Sequence, residues 1–275
     1  MTNIPRACVI GNPISHSRSP RLHSYWLDRY GLEGEYTALK VTEDQLEQTL
    51  RTLPSKGFIG ANVTIPHKVS VMRFADNITD RATLIGAANT LIFKEDGRIF
   101  ADNTDGYGFM ANLRQGAPDW DPQAGPAAIF GAGGAARAII VALAEAGVPE
   151  IIISNRTRPK AEALRADFGA RISVVDWVQA DKMLEDANTV INTTSLGMVG
   201  GQDFKVSLEL LRPHTVVTDI VYNPLKTAFL AAAEQKGCKV VDGLGMLLHQ
   251  GVPGFERWFG TRPEVDAATR QAVLA

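Results

Sequence analysis

Short apolar runs alternate with amphipathic stretches along the chain, the pattern of strands alternating with helices. Residues 7–10 form an apolar run that stops at Gly11 and predict a strand. Residues 19–30 carry helical spacing, 35–41 read as a strand, 43–53 as a helix, and 58–65 as a strand ended by Pro66. Runs at 90–93 and 99–101 flank Asp96-Gly97, a hairpin turn signal. The first hundred residues therefore predict an α/β unit with an antiparallel edge. Residues 116–125 are rich in Pro, Gly and Asp and predict a loop. After it come a strand at 127–130, a helix at 135–146 and a strand at 150–154. Further strands are predicted at 172–175, 189–192, 216–220 and 239–241. This β-α-β alternation predicts a parallel, doubly wound sheet. The tail from Met246 is amphipathic and helical, and packing it back on the first unit would make the second unit an insertion.

A chain of 275 residues suits two domains. The expected division is 1–105, completed by 246–275, against 106–245. A formal net charge of -2 gives no strong field for nucleic acid or an anionic membrane. The five His form no metal-ligand spacing, so no metal is expected. Cys8 and Cys238 lie far apart, give no disulfide framework and fit a reducing compartment. The N-terminal apolar stretch is short and broken by Pro and Gly, unlike a signal peptide or membrane anchor. The expectation is a cytoplasmic protein with a small-molecule substrate, a monomer or homodimer, with no nucleic-acid or membrane partner.

The strongest chemical signal is Gly131-x-Gly133-x-x-Ala136, placed between a predicted strand and a predicted helix. In that context Gly131 allows a tight turn and Gly133 lets the backbone approach a pyrophosphate. Ala136 permits close packing of helix on strand. The helix N-terminus then offers free N–H groups to phosphates. An NAD site usually places an acid at the end of the next strand, to bond the ribose 2′-hydroxyl. This chain has Ser154-Asn155-Arg156-Thr157-Arg158-Pro159-Lys160 there. Arg156 can bind a 2′-phosphate through its planar fork, with Lys160 as a second charge and Thr157 as a hydroxyl donor. The cofactor expected is NADP.

Three polar loops fall in the first hundred or so residues. Ser17 and Ser19, two apart after the first strand, suit a carboxylate or polyol, while Ser19-Pro20 also reads as a helix cap followed by its first residue. Alternation puts Asn62 and Thr64 on one face of their strand. Lys68 follows at an expected helix entry, where the helix dipole disfavours it. Asn89-Thr90 and Asp102-Asn103-Thr104-Asp105-Gly106 form the third cluster.

The segments GNPISHSRSP (11–20), NVTIPHK (62–68), GAANT (86–90) and DNTDG (102–106) match a known family in order. So do GAGGAAR (131–137), NRT (155–157), YNP (222–224) and DGLGMLLHQ (242–250). By these the chain resembles the shikimate/quinate dehydrogenase family over essentially its whole length. The resemblance implies an α/β substrate domain and a Rossmann-like NADP domain with a cleft between them. It also implies reversible reduction of 3-dehydroshikimate to shikimate, in aromatic amino acid biosynthesis. Ser17 and Ser19 would bind the substrate carboxylate, approached also by Tyr222. Thr64, Lys68, Asn89, Asp105 and Gln250 would contact ring hydroxyls, with Asn62 close by. Lys68 and Asp105 would be the catalytic pair. Gly131, Ala132, Gly133, Gly134, Ala135, Asn155, Arg156, Thr157, Lys160, Ile220 and Gly243 would line NADP, and Asp80 would reach it too. The family position of Ala88 often holds Val, and that of Lys160 also holds Arg. Alternatives are a quinate or dual-specificity dehydrogenase, methylene-tetrahydrofolate dehydrogenase, and a non-catalytic domain that senses shikimate-like ligands.

Overall fold

The protein is described here by a computed structural model covering residues 4–275. In chain order the elements are β1 (Arg6–Gly11), α1 (Ser19–Tyr30), β2 (Glu35–Lys40), α2 (Leu46–Thr52), β3 (Phe58–Val63), β4 (Asn77–Ile78), α3 (Asp80–Ile85), β5 (Thr90–Phe93), β6 (Ile99–Asp102) and α4 (Asp105–Gly116). There follow β7 (Ala127–Phe130), α5 (Gly134–Ala146), β8 (Ile151–Ser154), α6 (Arg158–Phe168), β9 (Ile172–Val175), β10 (Thr189–Asn192), β11 (Val216–Asp219), α7 (Ala228–Gln235), β12 (Lys239–Val241), α8 (Leu244–Phe259) and α9 (Ala267–Leu274). The chain forms two compact units. One holds the described residues up to Gly108 together with Leu247–Ala275, and the other holds Phe109–Met246.

The first unit is built on a six-stranded sheet in the order β2-β1-β3-β5-β6-β4. Its β1 pairs in parallel with β2 and β3, whereas β5 runs antiparallel to both β3 and β6. The β4–β6 pair is again parallel. The reversed strand therefore lies inside the sheet, not at the edge that the hairpin signal suggested. Successive residues of β1 point to opposite faces, as a strand requires. Cys8 and Ile10 pack with Leu46, Leu50 and Leu91 on one side. Ala7 and Val9 pack with Tyr36 and Trp258 on the other. Trp258 of α8 donates from Nε1 to the Leu91 carbonyl at 3.0 Å. It passes so close to β3 that a Cβ at Gly60 would stand 1.9 Å from that nitrogen.

The second unit carries a wholly parallel sheet in the order β12-β11-β10-β7-β8-β9. Numbered within the unit this is the 3-2-1-4-5-6 order of dinucleotide-binding folds, with its switch point between β7 and β10. Both faces are covered, so the strands are mostly apolar, with polar residues such as Asn192 and Asp219 at their ends. Ile129 and Ile153 pack with Ile139 and Leu143 of α5 on one face. Phe130 and Val217 pack with Leu184, Phe229 and Leu230 on the other.

Local geometry departs from the sequence pattern at several points. The expected helix at 43–53 is a short 3-10 turn, Glu43–Gln45, running into α2. Strand β3 ends at Val63, so Thr64 has left the strand that carries Asn62. Lys68 lies in a turn ahead of a 3-10 segment, Ser70–Phe74, and not at an α-helix entry; the dipole argument does not apply to it. The residue before α1 is Arg18, with Ser19 already helical, so Ser19 is not the cap. The sequence pattern gives no range for helices α3, α4, α6 and α7; α4 contains Gly106 and Gly108, whose low helix propensity hides it. Among the described residues no helix is long and apolar enough to cross a membrane.

Candidate active site

The reversal of β5 builds the site in the first unit. Because β5 opposes β3 and β6, its first residue stands where they finish: Thr90 pairs with Asn62, the last but one residue of β3, on one side and with Asp102, the last of β6, on the other. The turn after β3, the residue before β5 and the residues after β6 thus meet at one end of the sheet. They bring Lys68, Asn89 and Asp105 together. The Lys68 turn is pinned there by the Ala88 N–H, which donates to the Lys68 carbonyl at 2.8 Å.

Lys68 Nζ donates to Asp105 Oδ2 at 2.6 Å, and the pair is nearly buried, with side-chain exposures of 15% and 4%. Asp105 opens α4, whose N-terminal dipole is favourable to a carboxylate. Its backbone N–H donates to Asn103 Oδ1, and Asn103 Nδ2 donates to the Ala87 carbonyl. Asn89 is the hub. Its Nδ2 faces Asp105 Oδ1 at 2.9 Å, Thr104 Oγ1 at 3.0 Å and Gln250 Oε1 at 3.1 Å. Its Oδ1 accepts from the Thr104 N–H and from the Thr90 hydroxyl. Gln250 arrives from α8, whose carbonyl at that residue accepts from Thr104 Oγ1 at 2.8 Å. A buried polar network of this kind is rigid only when its members are satisfied, as these are.

Asn62 is buried against this hub. It donates from Nδ2 to the Asn89 carbonyl and accepts at Oδ1 from the Tyr36 hydroxyl at 2.5 Å. Tyr36 is missed by the sequence reading; its only signal is that it is the one aromatic residue of β2. Ser17 accepts from the Ser19 N–H at 3.3 Å, and Ser19 is buried. The loop bearing them is tied to the Thr64 turn by Asn12 N–H to the Ile65 carbonyl, at 2.9 Å. A Cβ at Gly11 would stand 2.4 Å from Thr64, so glycine lets the two loops close on each other. Asp80 is exposed in the first turn of α3, where a carboxylate suits the helix end on its own account.

In the second unit the glycine loop leaves β7 and enters α5. Gly131 has φ +114°, which only glycine adopts readily, and a Cβ there would stand 2.5 Å from Thr193 Oγ1. Gly133 precedes α5 without a side-chain cap, and among the described residues nothing beyond its chain neighbours lies within 4 Å of where its Cβ would be. With Ala132, Gly134 and Ala135 it leaves the helix N-terminus open to a phosphate group. Ala136 is fully buried, as close packing of α5 on the sheet requires. Past β8, Asn155 Nδ2 donates to the Thr157 carbonyl and folds the turn. Arg158 is engaged by Glu162 and Asp176. Arg156 reaches Gln202 at 2.6 Å and is exposed, as are Thr157 and Lys160. These residues fit a dinucleotide that carries a 2′-phosphate. Ile220 and Tyr222 lie in the turn after β11, and Gly243 crosses it so closely that a Cβ would stand 2.5 Å from the Ile220 carbonyl. No cluster of metal-ligating side chains occurs among the described residues.

Three family models match the chain. They are the shikimate dehydrogenase substrate binding domain over residues 9–91, shikimate/quinate 5-dehydrogenase over 121–205, and the shikimate 5′-dehydrogenase C-terminal domain over 243–274. The chain is 66% identical to a shikimate dehydrogenase (NADP(+)) of Cereibacter sphaeroides, covering 99% of this chain and 98% of that protein. It is 64% identical to the one of Paracoccus denitrificans, covering 98% and 96%. A crystal structure of shikimate 5-dehydrogenase from Thermus thermophilus in complex with NADP(H) and shikimate superposes with a TM-score of 0.87. That pair shares 36% identity, with 98% of this chain and 99% of that one covered.

Proposed function

The chain belongs to the shikimate dehydrogenase family, and from that premise we propose that it is an NADP-dependent oxidoreductase interconverting 3-dehydroshikimate and shikimate. The observation that carries the reading is the nearly buried Lys68–Asp105 pair, with Asn89 behind it, at the end of the first sheet. Residues 1–105 with 246–275 bind the substrate, and residues 106–245 bind NADP. Ser17, Ser19 and Tyr222 serve the substrate carboxylate. Thr64, Lys68, Asn89, Asp105 and Gln250 serve the ring hydroxyls, and Asn89 also holds Asp105 and Gln250 in register. Asn62, whose amide bonds Tyr36 and the Asn89 carbonyl, supports this wall from behind.

When bound, NADP supplies or takes up the hydride. The glycine loop and the N-terminus of α5 hold its pyrophosphate, and Arg156 with Lys160 holds its 2′-phosphate. The chain's own chemical task is to move one proton at the C3 oxygen of the ring. In the reducing direction Lys68 donates that proton as negative charge develops on the oxygen. In the oxidising direction Lys68 must be neutral to accept it. Asp105 fixes the ammonium in place, and Asn89 fixes Asp105.

The test is a set of initial rates, read at the nicotinamide absorbance band, with shikimate and quinate, each with NADP and NAD. The expected result is the highest kcat/KM for shikimate with NADP. A higher value for quinate with NAD overturns the substrate and cofactor assignment. Shikimate binding without turnover makes the chain a ligand sensor.

A further inference from the structure

Asp219, the last residue of β11, is fully buried at the end of the second sheet and plays no part in the chemistry above. Among the described residues its carboxylate bonds three donors. Oδ1 accepts from Asn192 Nδ2 at 3.0 Å and from the Val221 N–H at 2.9 Å. Oδ2 accepts from the Thr227 hydroxyl at 2.7 Å, and Thr227 caps α7 by accepting from the Leu230 N–H. Three segments therefore converge on one carboxylate: the end of β10, the turn after β11 and the start of α7. That turn is held at two more places. The Ile220 N–H donates to the Asn192 carbonyl at 3.0 Å, and the Val199 N–H donates to the Asn223 carbonyl at 3.0 Å. The turn also runs under Gly243, with no room for a side chain between them.

We propose that Asp219 is a positioning residue, whose ionised carboxylate fixes the turn after β11 and through it the cofactor-facing surface offered by Ile220 and Gly243. The proposal rests on the NADP reading of the second unit. It deepens that reading by naming the group that shapes one wall of the site.

Two physical features support a role beyond folding. First, only an ionised carboxylate accepts from all three donors; a protonated one must turn an O–H toward one of them. Second, burial pushes the Asp219 carboxyl up to about 6, against the opposing pull of its hydrogen bonds to Val221, Thr227 and Asn192. No charged side chain contributes. Of the ionisable groups nearby, Lys226 and Glu234 pair with each other at the surface. Lys239 of β12 is exposed, and Tyr222 lies on the turn itself. The sign of the linkage is unfavourable to stability. A carboxyl whose folded value lies above its unfolded one costs stability above the folded value. That cost fades as pH falls through about 6 and is gone below the unfolded value. Charge kept in a dry site at such a cost is characteristic of functional positions.

The experiment measures NADP+ binding by calorimetry from pH 5 to 8 for the wild type and Asp219→Asn, with a melting curve for each. At pH 8 the variant's Kd is expected to rise at least about 10-fold, because its amide turns N–H groups toward a donor. The ratio of variant to wild-type Kd is then expected to fall toward one as pH drops through about 6, where wild-type Asp219 protonates. The 2′-phosphate titrates in the same range but does so for both proteins, and it cancels in the ratio. Thr227→Val removes the donor to Oδ2 and is expected to move the wild-type acid limb to higher pH. It carries the test if Asp219→Asn does not fold. Arg156→Ala separates the two levels of failure. If it too leaves Kd unchanged at pH 8, the NADP reading itself is overturned. If it weakens NADP+ while Asp219→Asn binds as wild type at every pH, whatever its melting point, the positioning role alone is overturned.

Discussion

Lys68 Nζ lies 2.6 Å from Asp105 Oδ2, although the two residues follow different strands, β3 and β6, with β5 standing between them in the sheet. The contact exists because the turn after β3 and the start of α4 both fold over the beginning of β5. There Asn89 takes hold of the second carboxylate oxygen.

That geometry makes Lys68 and Asp105 one unit. General acid-base catalysis contributes roughly 10²–10⁴-fold, so Lys68→Met should lose turnover on that scale while NADP affinity is retained. Asp105→Asn should also lose turnover, because the ammonium is no longer held. The double variant should be far less than multiplicatively worse, as measured by steady-state kcat. Fully multiplicative losses would assign the two residues independent roles.

Asn89→Ala should damage both activity and stability. It strips partners from Asp105 Oδ1, Gln250 Oε1 and the Thr104 N–H, all in buried surroundings. Leaving a buried polar group unsatisfied costs about 1–3 kcal/mol, which urea unfolding would register as a lower midpoint. Turnover should fall as well, since Asp105 loses its fixed orientation. Unchanged turnover in a destabilised variant would make Asn89 structural only.

Arg156→Ala should raise the KM for NADP far more than the KM for NAD. A well-made charge-assisted bond is worth about 1.5–3 kcal/mol, or roughly 10- to 150-fold in affinity. Among the described residues Arg156 meets only the neutral Gln202 side chain, and it is exposed, so its charge is available to a phosphate. Arg158 is already tied to Glu162 and Asp176, and Arg158→Ala should discriminate little between the two cofactors. Equal losses with NADP and NAD for Arg156→Ala would remove it from the 2′-phosphate site.

Gly60→Ala should destabilise the first unit without touching the chemistry directly. The added methyl would stand 1.9 Å from Trp258 Nε1 and 2.5 Å from the Leu91 carbonyl, the two ends of one hydrogen bond. Overpacking of this kind costs about 1–3 kcal/mol. A thermal melt should show the loss, and an unchanged Tm would mean that α8 can shift away from β3 freely.

Features set by neighbours in the chain were legible from the residues alone. The apolar run at 127–130, the glycines after it and the helical spacing beyond gave β7, the tight turn and α5 with little error. The missing acid after β8 and the arginine in its place pointed to the 2′-phosphate for a reason of charge alone. Lys68, Asp105 and Gln250 were named through ordered motifs of a resembling family, not by any pattern that shows their distances. What only the tertiary structure decided is how those residues meet. Asn89 and Gln250 are 161 positions apart and touch through side chains at 3.1 Å. The hairpin signal at Asp96-Gly97 revealed two antiparallel strands but not that β5 lies inside the sheet, where its reversal joins three loops. Helix α4 stayed hidden because its glycines lower local propensity, while Lys68 and Asn89 fix its first turn from elsewhere in the fold. Local sterics and hydrophobic period act over a few residues and are written in the chain. Strand order, and with it the pairing of buried polar groups, comes from the packing of the whole sheet.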